Sequence, residues 1–558
     1  MTLEEYINKI NQRFQLGNAT EHTFRGDLQS LLESIVPKIA ATNEPKRIAC
    51  GAPDFVLTKN DIPVGFIEAK DIGDKDLEGK KKTGNKEQFD RYKNSLDNLA
   101  FTDYLDFHFY QDKKFIKSIA IGKIENGKVE PIRENFEIFE RQIKDFCIYE
   151  GQTIKSPKKL AEMMAVKAQM LAEVIEKSLD SDENSENNEG GDSSLQDQFK
   201  AFKQLLIKDI SHKAFADVYA QTIAYGMFAA RLHDNSPTTF TRQKAASLIP
   251  KSNPFLRKLF QYIAGFDLDE RLVWIVDSLS DIFVYANVEA ALKEYGRTTQ
   301  TEDDLIHFYE TFLAEYDPKL RKSRGVWYTP KPVVNFIVRA VDDILKTEFN
   351  LPKGLTDSSK TKIKVSEKGN LVEKEVHKVQ ILDPATGTGT FLAETVEHIY
   401  KQFQNQKGVW NSYVENDLLP RLNGFELLMA SYAMAHLKLD FLLKETGFSP
   451  TKEERFRVFL TNSLEEGSTE LETSFANWLS TEANEANKIK KDTPVMVVIG
   501  NPPYAVSSSN KSDWIQNLIA DYKKDLKEKN IQPLSDDYIK FIRFGQHFID
   551  RNESGVLA

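Results

Sequence analysis

Asn501, Pro502, Pro503 and Tyr504 follow an apolar run, Val495 to Ile499, that stops at Gly500. The Asn501 side-chain oxygen and the Pro502 carbonyl are two acceptors in sequence, and two prolines stiffen the backbone so that a carbonyl can be aimed into a site. Such a pair suits a planar amino or amide nitrogen. Its lone pair is delocalised, so it attacks poorly until acceptors draw on its hydrogens and favour a more pyramidal form. Tyr504 adds a face on which a planar ring can stack. Near the other end of the chain, Ala52, Pro53, Asp54 and Phe55 precede Ile67, Glu68, Ala69 and Lys70. Alternate residues of a strand share a face, which puts Glu68 and Lys70 side by side. Asp54 and Glu68 together could hold Mg²⁺ at a phosphate, with Lys70 orienting water or offsetting developing charge.

Several elements are needed to position that second cluster. Asp54 to Leu57, Val64 to Glu68 and Ser118 to Ile121 read as strands, with Asp61 to Pro63 as a turn between the first two. Phe24 to Ile35 has the spacing of an amphipathic helix and carries Glu33, a third carboxylate and candidate metal ligand. Gln88 and Tyr92 stand at i and i+4, on one side of a helix. The basic run Lys80 to Lys82 suits either phosphate contact or a solvated loop. GKIENGK, residues 122 to 128, matches most of a phosphate-binding loop, but Val129 follows where Ser or Thr is needed and no helix comes after. It is expected to be a hairpin turn, and no other ATP site is visible.

The first cluster belongs to a different texture. From Gly325 onward, apolar strands such as VQILD and VMVVIG alternate with helical patterns, which predicts a parallel, doubly wound sheet with ligands at the carboxyl ends of its strands. After the strand Val379 to Leu382 comes Asp383, Pro384, Ala385, Thr386, Gly387, Thr388, Gly389 and Thr390. Glycines at such a strand-to-helix turn let a ligand approach the backbone. The third glycine of a dinucleotide fingerprint is missing. Glu426 ends a further strand and Asn462 follows another, while GVWYTPKP, residues 325 to 332, lies before them all and includes Tyr328, Thr329 and Pro330.

Between the two textures, from about Ser156 to Leu320, the chain has helical periodicity, interrupted by an acidic, Ser/Asn/Gly-rich stretch at 180–196 that is expected to be a flexible loop. No chemistry stands out there. At 558 residues, with 41% hydrophobic and 28% charged residues, the chain is too long for one core. The expected division is a metal-dependent α/β domain at 1–152, an all-helical connector at 153–322 and a Rossmann-like domain at 323–558. The net charge of -10 excludes only a uniformly basic nucleic-acid binder. Two cysteines and no Cys/His cluster imply a reducing compartment without structural zinc. No apolar run is long enough to span a membrane, so a cytoplasmic location is expected.

DPATGTGTFL resembles the S-adenosylmethionine loop of amino-methyltransferases. The ordered set that ends in NPPY is similar to that of N6-adenine DNA methyltransferases whose cofactor motifs precede the catalytic motif, over about residues 320 to 558. The resemblance implies a Rossmann-like class I methyltransferase fold in which Tyr328, Thr329, Pro330, Asp383, Ala385, Thr386, Gly387, Gly389, Glu426 and Asn462 bind the cofactor. Within it, Asp383 lies near the methionine ammonium, Glu426 takes the ribose hydroxyls and Asn462 meets the adenine. Asn501, Pro502, Pro503 and Tyr504 then handle a flipped target adenine. Many relatives carry Asp where this chain has Asn462. Asp54, Glu68 and Lys70 match the PD-(D/E)xK nuclease pattern, and Gln88 with Tyr92 matches the QxxxY motif that follows it in restriction enzymes.

Nuclease, connector and methyltransferase in one chain resemble the single-chain restriction-modification enzymes of Type IIG and the corresponding parts of Type ISP. That implies S-adenosylmethionine and Mg²⁺ as cofactors and double-stranded DNA as partner. It also implies a target-recognition domain after the methyltransferase, and the expectation is that the chain is a fragment or that a partner polypeptide completes it. Two other readings stay open. One is an adenine methyltransferase with an inactive nuclease-like domain, and the other is a protein glutamine methyltransferase.

Overall fold

The computed structural model describes residues 1–558 other than 18–20, 44–52, 60–61, 75, 78–88, 91, 94–95, 97, 112, 148–153, 155, 185–193, 235–238, 266–267, 289–290, 293–303, 318–328, 368–369, 405, 453–454, 466–473, 505–507 and 509. The chain is a multidomain α/β protein whose contacts divide it into two compact units. One is essentially Met1–Lys155, and the other takes in Ser156–Ser236, Phe240–Phe283 and Val288–Ala558. The helical middle third and the C-terminal α/β region thus fall in the same compact unit.

In the first unit, helices α1 (Leu3–Gln15) and α2 (Glu21–Ile35) precede a six-stranded sheet. Its strands are β1 (Ala40–Asn43), β2 (Phe55–Lys59), β3 (Ile62–Ala69), β4 (Asn98–Thr102), β5 (Asp106–Gln111) and β6 (Lys114–Ala120), arranged in that order. All neighbours are antiparallel except β3 and β4, which run parallel. Alternation fixes the faces. Phe55 and Leu57 of β2 and Ile67 and Ala69 of β3 are buried in a core that includes Phe24, Leu28, Leu31 and Leu32 of α2. The residues that alternate with them on β3 therefore face the other way. β7 (Gly122–Glu125) and β8 (Lys128–Pro131) form the expected hairpin across GKIENGK. Asn126 and Gly127 both have positive φ, the conformation that a tight two-residue hairpin turn requires. Helix α3 (Phe136–Cys147) closes the unit with Phe139, Ile143 and Phe146 in the same core.

The second unit begins with helices α4 (Pro157–Asn184), α5 (Ser194–Leu205), α6 (His212–Leu232), α7 (Arg242–Leu248), α8 (Pro254–Ala264), α9 (Glu270–Tyr285) and α10 (Asp304–Tyr316). Both ends of the expected 180–196 loop are helical, since α4 continues to Asn184 and α5 starts at Ser194. The stretch between lies outside the described residues. Helix α6 is buried along nearly its whole length, and Ser211 caps it by accepting from the Ala214 amide. Gly226 is required there because an added Cβ would come 2.1 Å from the Phe260 ring.

Helix α11 (Lys331–Thr347) and the hairpin of β9 (Lys360–Glu367) and β10 (Asn370–His377) lead into the parallel sheet. Its strands, β11 (Gln380–Asp383), β12 (Leu422–Glu426), β13 (Arg457–Leu460), β14 (Val495–Val498) and β15 (Val556–Leu557), stand in the order β13-β12-β11-β14-β15. Helices α12 (Thr390–Phe403), α13 (Met429–Glu445), α14 (Ser474–Asp492), α15 (Asp513–Lys523) and α16 (Asp537–Arg551) make the connections. The short strands β11, β12 and β14 are buried at every residue, as a sheet covered on both faces demands. Leu382, Phe425, Phe459 and Val498 share one core with Phe544 and Phe548 of α16. The fully buried Arg421 guanidinium fixes the entry to β12, donating to the carbonyls of Val379 (3.2 Å), Leu355 (2.6 Å) and Asp417 (2.6 Å). Each such acceptor left unpaired would cost about 1–3 kcal/mol. Among the described residues, no helix is long and apolar enough to cross a membrane.

Candidate functional site

The order of the sheet brings the carboxyl ends of β12, β11 and β14 together, and a cavity of about 540 Å³ opens there. Its walls include the loop 384–388, Phe391 from α12, Phe425 to Leu428 at the end of β12, Asn462 and Ser463 after β13, and Asn501 to Tyr504 after β14. Thr329, Ala385, Thr386, Gly387, Glu426, Asn462, Asn501, Pro502, Pro503 and Tyr504, all singled out in the sequence, border this one space. Tyr328 and Gln88 lie outside the described residues. Pro330 is exposed at the N-terminus of α11.

The buried Glu426 carboxylate lines the cavity, and the buried Asp383 carboxylate stands next to the lining residue Pro384 without lining it itself. Glu426 accepts from the Gly387 amide at 2.7 Å and from the Leu428 amide at 2.8 Å, so it is pinned between two loops. Burial lifts its pKa to about 7 against the opposing pull of those amides. Asp383 is 1% exposed and accepts from the Ala385 amide at 3.1 Å. Burial lifts it to about 8, with the neighbouring Glu426 charge adding to the rise. Gly387 has a φ of 56° and nothing but the Ala385 carbonyl within reach of an added Cβ, which leaves the backbone open to a ligand. Gly389, in contrast, faces Ala435 of α13, whose Cα and Cβ would be 3.2 Å from a side chain there. Its left-handed φ of 81° starts α12 and seats that helix on its neighbour.

Asn462 is tied on both sides. Its oxygen accepts from the Leu464 amide at 3.0 Å, and its nitrogen donates to the Asn510 side-chain oxygen at 2.9 Å. Asn510 in turn donates to Asp537 at 3.1 Å. An aspartate at position 462 would face the Asn510 oxygen without a proton to give. Asn462 therefore belongs to a local amide chain that ends on a carboxylate. Tyr504 is 55% exposed and stacks on Tyr538, with centroids 4.8 Å apart and planes 18° from parallel.

The sequence reading did not identify one entire wall. Ile207, Asp209, Ile210, Ser211, Ala214 and Val218, from the segment read only as a connector, line the same cavity. The sole local signal was Ser211 as an N-cap, which says nothing about what the helix end faces. A cavity of this size, with the buried Glu426 carboxylate, the Gly387 turn and apolar walls from Phe391, Ile207 and Ile210, fits a nucleoside-bearing cofactor.

In the first unit Asp54 and Glu68 meet at the ends of β2 and β3, where Phe55 pairs with Ile67. Asp54 accepts from the Ala69 amide at 2.7 Å and, on its other oxygen, from the Arg25 guanidinium. Lys70 donates to Glu68 at 2.7 Å. Burial, then the Asp54 charge, lift Glu68 to about 7 against the pull of Lys70. Glu33 does not join them. It accepts from the Ala41 amide and the Gln29 side chain, both at 3.1 Å, and no cluster of three metal-type side chains forms among the described residues. Mg²⁺ is commonly held by one or two carboxylates with phosphate and water, so Asp54 and Glu68 fit as protein ligands once Arg25 yields its place. Arg25 itself is legible in hindsight. It shares the apolar stripe of α2 with Leu28 and Leu32, and a buried arginine needs an acidic partner.

Residues 300–555 match the family described as N-6 DNA Methylase, and this region of the chain is accordingly an N-6 DNA methylase domain, a kind of domain that implies S-adenosylmethionine as methyl donor. No curated protein sequence matches the chain. Among solved structures, it is similar to the DrdV–DNA complex at 20% identity and a TM-score of 0.48, over 100% of this chain and 49% of that one. It is also similar to the ATP-dependent Type ISP restriction-modification enzyme LlaBIII bound to DNA, at 20% identity and a TM-score of 0.49, over 71% of this chain and 24% of that one. A third is a nuclease-deletion mutant of the Type ISP enzyme LlaGI in complex with a DNA substrate mimic, at 21% identity and a TM-score of 0.48, covering 75% and 31%. The chain thus spans half or less of the length of each of these.

Proposed function

We propose that the second unit transfers a methyl group from S-adenosylmethionine to N6 of adenine in double-stranded DNA. The observation that carries this is the continuity of one cavity from the Glu426 carboxylate to the Asn501–Tyr504 loop. Bound S-adenosylmethionine supplies an electrophilic methyl group on a sulfonium. The residues of the chain do the rest. Glu426 takes the ribose hydroxyls, Asp383 attracts the methionine ammonium, and the loop 385–387 passes under the cofactor. Thr329 borders the same space, and Asn462 lies at the adenine end. Asn501 and Pro502 accept hydrogen bonds from the target amine, which makes its lone pair available to the methyl carbon, the proton displaced by methylation passes to water, and Tyr504 stacks on the flipped base.

Tritium from labelled S-adenosylmethionine should enter unmethylated genomic DNA as N6-methyladenine. Asn501→Ala should lower kcat by about 100-fold or more with little change in cofactor Kd, the pattern of an interaction made with the target. Label in protein glutamine instead of DNA would overturn the assignment.

Cofactor binding should depend on pH. Glu426 and Asp383 must be ionised to hold hydroxyl and ammonium donors, and both are protonated on the acid side of their raised pKa values, about 7 and about 8. Affinity therefore rises with pH through that range and falls below it. Calorimetric Kd values should tighten by at least about tenfold between pH 6 and pH 8, the change that a single group with a pKa near 7 gives on its own. For Glu426→Gln, an equally steep profile would remove Glu426 from the explanation.

We further propose that the first unit is a PD-(D/E)xK nuclease and that the whole chain acts in restriction-modification, with methylation marking the DNA that the nuclease spares. The convergence of Asp54, Glu68 and Lys70 supports this reading. Mg²⁺ bound there would polarise the scissile phosphate. Asp54 and Glu68 would hold it, and Lys70 would orient the attacking water. Cleavage of unmethylated plasmid should require Mg²⁺ and fall at least ~100-fold in Asp54→Ala and in Lys70→Ala. Cutting that survives in both variants would place the nuclease elsewhere or nowhere in this unit.

A further inference from the structure

Helix α16 carries no residue of the NPPY cluster, yet its first two turns hold the loop that bears it at two places. At the near end, the Tyr538 ring stacks on Tyr504 at 4.8 Å. At the far end, the Lys540 ammonium donates to the Ser508 hydroxyl and, at 2.6 Å, to the Asn510 carbonyl. Asp537 accepts from Ser508 through one carboxylate oxygen and from Asn510 through the other. Lys540 is 1% exposed. A cation that deep is retained only where its hydrogen bonds are made, and its acceptors here are on the loop.

The rest of α16 is fixed. Phe544 and Phe548 are wholly buried in the core that also holds Val498 of β14. The strand before the loop and the helix that grips it therefore share one packed support, while the loop itself has no helix or strand of its own in the described residues 501–504, 508 and 510. Transfer to a flipped amine requires its acceptors to be placed within about an ångström, and such misplacement costs on the order of 100-fold in rate.

We propose that the start of α16 is a positioning element for methyl transfer. Tyr538 holds Tyr504 and Lys540 holds Ser508 and Asn510, so that Asn501, Pro502 and Tyr504 are kept in place before the target base arrives. Neither residue is assigned contact with substrate. This rests on the reading of that loop as the target-adenine site, and its test is built so that the two can fail separately.

The full chain carrying Tyr538→Ala, Tyr538→Phe or Lys540→Met is compared with wild type in three measurements. These are kcat with labelled S-adenosylmethionine and unmethylated genomic DNA, calorimetric cofactor Kd, and amide hydrogen exchange. Tyr538→Ala and Lys540→Met should each lower kcat by at least ~10-fold while cofactor Kd stays within about twofold. The amides of Asn501, Tyr504, Ser508 and Asn510 should exchange faster than in wild type, with those of β14 unchanged. Tyr538→Phe keeps the ring and should restore wild-type behaviour. An unchanged kcat in Tyr538→Ala, equal losses of kcat and cofactor affinity, or unaltered exchange in the loop would each overturn the clamp. If wild type transfers no label, the methylation reading fails, and the exchange comparison still decides whether α16 holds the loop.

Discussion

Parallel neighbours in a sheet deliver their carboxyl ends to the same edge, and the pairing of β11 with β14 is the constraint on which the second unit depends. Leu382 lies beside Val498 in register, so the loop that begins at Asp383 and the loop that begins at Gly500 leave the sheet together. The approach is close enough that a Cβ on residue 500 would sit 2.7 Å from the Asp383 carboxylate. Any larger residue there would force the Asp383 carboxylate to shift, because the acidic residue of one loop packs against the backbone of the other. On the proposed function, a methyl donor held over the first loop would thereby be adjacent to a target nitrogen held by the second. No later element has to bring them together. The remaining parts of the unit support that contact, with Arg421 fixing the start of β12 and Glu426 bracing the first loop from the other side.

Much of this was legible because the informative residues are local in sequence. A strand, a glycine turn and a helix occupy successive positions, so Asp383, Gly387 and the alternation around them could be read directly, as could NPPY after its apolar strand. The hairpin at Asn126 and Gly127 was legible for the same reason, since two adjacent residues suited to positive φ specify the turn. What local patterns could not supply were the contacts between distant segments. The periodicity of His212 to Leu232 says that the helix is buried, and it is. It does not say that Ile207, Ile210 and Ala214 border the cavity formed by strands more than 150 residues later. Arg25 and Lys540 escaped notice on similar grounds, because a single charged residue on an apolar stripe has no sequence neighbour to identify its partner. Glu33 misled for the opposite reason. It stood in a promising helix, but its carboxylate satisfies the Ala41 amide and not a metal site.

The two units handle acidic groups in related ways. In each, burial raises a carboxylate toward neutrality, with Glu68 near 7 in the first and Glu426 near 7 in the second. Their partners differ in kind. Glu68 and Asp54 are matched by the cations of Lys70 and Arg25, which a metal ion would have to contest. Glu426 and Asp383 are met by backbone amides, which hold a carboxylate in place without a neutralising cation. That difference suits the first pair to a site that must be opened and the second to a site already formed.

On the proposed function, the cofactor loop and the target loop form one site through the packing of Asp383 against Gly500. Calorimetric titration of S-adenosylmethionine into wild type and Gly500→Ala tests this most directly, because the substitution touches no residue assigned to the cofactor except through that contact. The added methyl group should displace Asp383 and weaken binding by about tenfold or more, in line with the roughly 1–3 kcal/mol typical of overpacking at a buried site. Wild-type affinity in Gly500→Ala would contradict the account, because it would mean that the two loops do not share the site.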